Sequence, residues 1–174
     1  MFPKLQNDFA NRSVFIATPA VGHPFVCSDE TNCDWEKVTL CAFEAAGSQV
    51  GKPINSIASA YLECMDNADL PLFFDSTIAK ACANKVELQW EGISQCFGGS
   101  RGNDLLSAAA ARVTDQVGSE SFHIPLVVVD GQKVCTSDAC NYDVVAKALG
   151  QEPSSAVARP HDAHVNLTYF FASK

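Results

Sequence analysis

An α/β fold held by disulfides is what this sequence predicts, and three observations predict it. Eight cysteines, Cys27, Cys33, Cys41, Cys64, Cys82, Cys96, Cys135 and Cys140, are spread along 174 residues without a C-x-x-C pair. An even count at such spacings reads as a set of staples made in an oxidising compartment. The middle of the chain shows short, interrupted helical periodicity, whereas the last third changes to a helix, an apolar strand, a hairpin and a helix. A chain of this length buries a sizeable core without covalent help, so the cysteines are not there to rescue a small domain.

Taken in order, residues 3–10 read as the last turns of a helix. Residues 12–18 are β-branched and aromatic, which predicts a strand ended by Pro19, and Gly22 and Pro24 continue as a turn. Helical segments follow at 38–46, 54–65, 78–88 with Asp75 or Ser76 as cap, and 90–97, which stops at Gly98 and Gly99. These segments carry Cys41, Cys64, Cys82 and Cys96 and form a cysteine-pinned block. Residues 104–117 are rich in alanine and leucine and predict a helix of three to four turns. The run at 124–130 predicts a buried strand opened by Pro125, and Asp130-Gly131 predicts a hairpin into a partner at 133–135. Ser137 is the expected cap of a last helix that Gly150 closes. Residues 151–174, with Pro153 and Pro160, predict an irregular tail. One domain over 1–150, with a helical insertion at about 27–98, is the resulting organisation.

Composition narrows the function. Apolar residues are 47% of the chain and charged residues 18%, which excludes a disordered segment. A net charge of −8 with no basic stripe argues against nucleic acid or an anionic membrane face as partner. No apolar run reaches the length of a membrane span. Asn11-Arg12-Ser13 and Asn166-Leu167-Thr168 are glycosylation acceptors that agree with a secretory origin. The start lacks a basic region followed by an apolar one, so a signal that would take the chain there is expected upstream of Met1. The alternative is a cytosolic protein with eight buried thiols.

Each motif has a plain reading beside a chemical one. The spacings in Cys27-Cys33-Cys41 do not match zinc knuckles and no histidine falls among them, so disulfides are expected there. Neighbouring acidic residues would raise these thiols' pKa. Cys135 and Cys140 suit a local staple better than a second redox pair. His161 and His164 beside Asp162 have a metal-like spacing, but a solvated tail is the commoner use, so no metal or organic cofactor is expected. Pro125 opens a strongly apolar strand, where proline is confined to edges, bulges or the first position, and X-Pro is the bond at which cis is cheap.

Removing the helical block leaves the later part of a thioredoxin-type unit, whose first strand and redox helix start would lie upstream. With these residues in view, the chain resembles the gamma-interferon-inducible lysosomal thiol reductase family. The landmarks are Asn11-Arg12-Ser13 and the following strand, Pro19 to Gly22, Cys27 to Cys41, Glu63-Cys64-Met65, the run Ser94 to Gly102, and the run His123 to Gly131. They stand in family order over residues 1 to about 149. The family signature C-Q-H-G-x3-C-x2-N-x4-C is not kept. Ser28-Asp29-Glu30 follow Cys27, one residue fewer precedes Cys33, and Glu36 stands where asparagine is expected.

The resemblance implies a reductase of protein disulfides, acting on disulfide-containing or unfolded proteins in a secretory, lysosomal or extracellular setting. Phe122, His123, Ile124 and Pro125 would form its substrate-facing loop, with Ile124-Pro125 cis. The family's C-x-x-C would lie upstream of Met1, so no residue here inherits a catalytic role and the chain as written is expected to be inactive. A non-catalytic thioredoxin-like subunit of a lumenal assembly is the alternative.

Overall fold

The computed structural model describes residues 13–19, 33–69, 71, 73–117, 126–130, 132–136, 139–150 and 165–171. They form an α/β fold in which helices pack on a four-stranded mixed sheet. Strand β1 (Ser13–Pro19) is followed by four short helices, α1 (Asp34–Ala45), α2 (Ser56–Asp66), α3 (Ser76–Lys85) and α4 (Trp90–Gly98). The longer α5 (Ser100–Val117) leads to β2 (Leu126–Val129), β3 (Gln132–Thr136), α6 (Tyr142–Gly150) and β4 (Val165–Phe171). The four expected helices of the cysteine block are all present, with ends shifted by a few residues.

Local chemistry explains most of these boundaries. The Asn55 side chain accepts from the Ala58 N–H at 2.9 Å to open α2, and Asp75 accepts from the Thr77 N–H at 2.9 Å to open α3. Of the two expected caps for α3, the carboxylate does the work. Asp130 adopts φ 49° in the hairpin between β2 and β3, the left-handed conformation such a turn needs. Helix α6 begins at Tyr142 and not at the predicted Ser137, which lies outside the described residues. Asn141 caps it instead, accepting from the Val144 N–H at 3.0 Å.

The sheet order is β1-β4-β2-β3. Strand β4 is parallel to β1, from Ser13 opposite Val165 to Pro19 opposite Phe171, and antiparallel to β2, with Leu126 opposite Phe170. β2 and β3 are antiparallel. The irregular tail predicted for 151–174 is therefore corrected: residues 165–171 are a strand between β1 and β2. The alternating and aromatic character of Val165 to Phe171 was outweighed in the sequence by the prolines and histidines before it. All four residues of β2 are buried, as a strand covered on both faces requires.

The core is continuous from the helices to the sheet. Helix α1 lies at its centre, with Trp35, Val38, Leu40, Cys41, Ala42 and Phe43 buried, and it packs against α2, α3, α4, α5 and β1. Trp35 meets Phe74 edge-on at 4.7 Å between ring centroids, and Phe74 lies 4.9 Å from Phe97. The Cys41–Cys96 disulfide joins α1 to α4, and Cys64–Cys82 joins α2 to α3. At the α4–α5 junction the backbones come so close that a Cβ on Gly102 would lie 3.0 Å from the Cys96 carbonyl oxygen and 3.3 Å from that of Phe97. The motif around Cys96 is thus a packing device.

Glu44 on α1 accepts from the Arg101 guanidinium on α5 through both carboxylate oxygens. This hydrogen bonding holds the Glu44 carboxyl below its usual range. A depressed folded-state value stabilises above the pKa of the unfolded carboxyl, and the stabilisation is lost as pH falls through the folded value. Both side chains are largely exposed, so the contribution is small and screened by salt.

Three outcomes test this account. The stability difference between the protein and Arg101→Ala should be constant across neutral pH and shrink below the ordinary carboxylate range, as read by urea melts at a series of pH values. Gly102→Ala should cost about 1–3 kcal/mol in the same assay, because backbone and not a movable side chain stands in the way. Deleting residues 165–174 should remove the slow hydrogen exchange of the 13–19 and 126–129 amides, which lose the strand between them. Unchanged protection there would contradict the central position of β4.

Candidate functional site

The strand directions bring four chain segments to one edge of the sheet. At that edge lie the carboxyl ends of β1 and β4, with Thr18 opposite Phe170, the start of β2 at Leu126, and the end of β3, where Thr136 is opposite Leu126. In open α/β sheets, ligands bind outside the carboxyl ends of the parallel strands. The expected substrate-facing residues Phe122, His123, Ile124 and Pro125 lie outside the described residues, as does the geometry of the Ile124-Pro125 bond. In sequence they directly precede Leu126, so the chain reaches the sheet from them at this edge. The cysteine run that begins at Cys27, also outside the described residues, follows the carboxyl end of β1 in sequence.

One covalent feature is described at this edge. Cys135, in β3 and opposite Val127, is bonded to Cys140, just before α6. Cys135 is 7% exposed, whereas Cys140 is half-buried. The local staple expected from the spacing is therefore present.

The other cysteines belong to the helical block. Cys41–Cys96 and Cys64–Cys82 are bonded, and Cys33, which opens α1 with φ 57°, is also disulfide-bonded. No described cysteine is free. Such use of cysteine fits a secreted or lumenal protein. Among the described residues no group of three or more His, Cys, Asp or Glu side chains comes together as a metal site, and no helix is long and apolar enough to cross a membrane. Asn166 lies in β4 opposite Val14; Asn11 is outside the described residues.

A charged group is buried within the block, a feature beyond the sequence expectations. Glu36 is 0% exposed on the central helix, and it is held by a partner. The Trp35 Nε1 and Tyr61 hydroxyl are also buried, without a hydrogen-bond partner among the described residues. Burial pushes the Tyr61 phenol up, so it stays neutral across the physiological range. The only sequence signal was an acidic residue inside an otherwise apolar helical stretch.

Comparisons with protein-family models, with curated proteins and with solved structures each found no match to this chain.

Proposed function

We propose that this chain is a disulfide-stapled, thioredoxin-type module of a thiol reductase resembling the gamma-interferon-inducible lysosomal family. Its sheet edge would receive a disulfide-containing or unfolded protein chain in a secretory or lysosomal lumen. The observation that carries this reading is the sheet itself. A thioredoxin-type unit needs a mixed four-stranded sheet with a parallel pair on one side and an antiparallel hairpin on the other. It also needs a first strand between them. Strand β4 occupies that place, which the sequence left vacant at the start of the chain.

In this reading, β4 stands in for that first strand and the reaction centre would lie beside its carboxyl end. The redox pair of this fold follows the first strand, at the N-terminus of the first helix, where the helix dipole favours thiolate. By that correspondence the pair would follow Phe171, at the edge just described. Residues 172–174 are Ala-Ser-Lys and supply no cysteine, so no residue of the chain takes the nucleophile or resolving role in this reading. Phe122 to Pro125 would face that position from the start of β2. Because the described cysteines are all paired, a second reading also has support, a non-catalytic thioredoxin-like subunit that binds partners at the same edge.

A permuted protein separates the two. Three residues follow Phe171 and twelve precede Ser13, together enough for the dozen or more residues that a crossover between parallel strands needs. Moving residues 165–174 in front of Met1 should therefore give a folded protein with the same sheet. Within that permuted chain, Ala172→Cys and Met1→Cys place two cysteines with two residues between them just after β4. This variant should reduce insulin disulfides measurably faster than the permuted chain without the substitutions. A folded variant with no gain would count against the reductase reading and leave the subunit reading.

A further inference from the structure

We infer that Cys135–Cys140 is an exchangeable disulfide, a second thiol–disulfide site that reacts with cysteine thiols of the peptide chain lying on the sheet edge. The inference rests on the proposed function for its substrate class and on separate observations for the site. The three disulfides whose partners are both described differ in what they join. Cys41–Cys96 and Cys64–Cys82 tie separate helices, across 55 and 18 residues of chain. Cys135–Cys140 spans 5 residues, and its two ends are already held, one by β3 pairing with β2 and the other by α6, whose Val145 and Leu149 are buried in the core.

A disulfide stabilises mainly by restricting the unfolded chain, and the restriction grows with the loop it closes. Among these three, opening the short-loop bond therefore costs the fold least. Cooperative folding must draw the other two closed, because opening either frees helices of the central block. Position adds the second half of the argument. Thr136, the residue after Cys135, is opposite Leu126, so the bond lies at the start of β2, beside the carboxyl end of β4. Neither of the other two bonds touches the sheet, since they join α1 to α4 and α2 to α3.

The chemistry balances as ordinary exchange. A thiolate of the bound chain attacks the half-buried Sγ of Cys140, forming an intermolecular disulfide and breaking the Cys135–Cys140 bond. The more buried Cys135 departs as thiolate and takes a proton from water. A second thiolate of the bound chain attacks its own sulfur in the mixed disulfide, closing a substrate disulfide and releasing Cys140. The bound dithiol has lost two electrons and the Cys135–Cys140 pair has gained them. Run backwards, the same steps reduce a substrate disulfide.

The test uses the whole protein equilibrated in buffers of graded reduced-to-oxidised dithiothreitol ratio, trapped by alkylation and mapped by mass spectrometry. From the loop lengths alone, opening Cys135–Cys140 should lower the folding equilibrium constant by a factor roughly sevenfold smaller than opening Cys64–Cys82 and roughly thirty-fivefold smaller than opening Cys41–Cys96, as read by urea melts of the corresponding paired Cys→Ala variants. Opening of Cys135–Cys140 should leave the far-ultraviolet circular dichroism unchanged. In addition, Cys135→Ser should form a mixed disulfide with oxidised glutathione through Cys140, and Cys140→Ser should do so far more slowly through Cys135. Equal destabilisation on opening any of the three bonds, or loss of helical signal as Cys135–Cys140 opens, would overturn the inference. So would equal adduct rates for the two variants. None of these readouts depends on the permuted protein gaining activity, so failure of the reductase reading and failure of this site are distinguishable.

Discussion

The sheet depends on one strand that comes last in the chain. β4 bonds to β1 along seven residue pairs and to β2 along four, and without it the two would face each other across an empty strand position about 10 Å wide, twice the normal spacing between neighbours. Unpaired backbone donors and acceptors beside a buried β2 would each cost free energy comparable to a lost hydrogen bond. The apolar burial of Leu126, Val127, Val128 and Val129 is therefore available only once residues 165–171 are in place. A C-terminal segment that looks dispensable by its position is structurally the middle of the molecule.

The helical block solves a different problem, which is how to hold four short helices together. Helices of 9 to 12 residues are marginal in isolation, so each must be stabilised by packing or by covalent ties. α1 provides the packing because it is buried on almost every face. The bonds from Cys41 to α4 and from Cys64 to α3 supply the ties. Gly102 then lets α5 start directly over the end of α4, which keeps Cys96 beneath α1. Changing the glycine would strain the disulfide's surroundings as well as the turn.

The sequence made local elements legible because they are written in local signals. Asp75 as a cap, Asp130-Gly131 as a turn, the valine run of β2 and the helical periodicity of the cysteine block all state their structure within a few residues. What could not be read was pairing between distant segments. Nothing in Val165 to Phe171 indicates that its neighbours are residues 13–19 and 126–129, and the prolines at 153 and 160 pull a local reading toward an irregular tail. The same limit applies to the cysteines. The Cys135–Cys140 bond follows from its spacing, whereas Cys41–Cys96 and Cys64–Cys82 depend on the helix packing. For the candidate site, the sequence marked Cys135 and Cys140 as a local pair but could not say that strand direction would bring the end of β3 to the same edge as the carboxyl ends of β1 and β4.

That convergence separates stability from chemistry within the molecule. The long-loop disulfides sit in the helical block, where they restrict the unfolded chain most and where Cys41 and Cys82 are buried. The edge of the sheet instead holds the short-loop disulfide and the carboxyl ends of the parallel pair. Opening that bond would leave the ties of the helical block in place, because Cys41–Cys96 joins α1 to α4 and Cys64–Cys82 joins α2 to α3. If the edge were stapled to the block by a long-loop bond, opening it would cost the fold far more of its stability. In the exchange proposed above, Cys135–Cys140 would open and close while Cys41–Cys96 and Cys64–Cys82 remain closed.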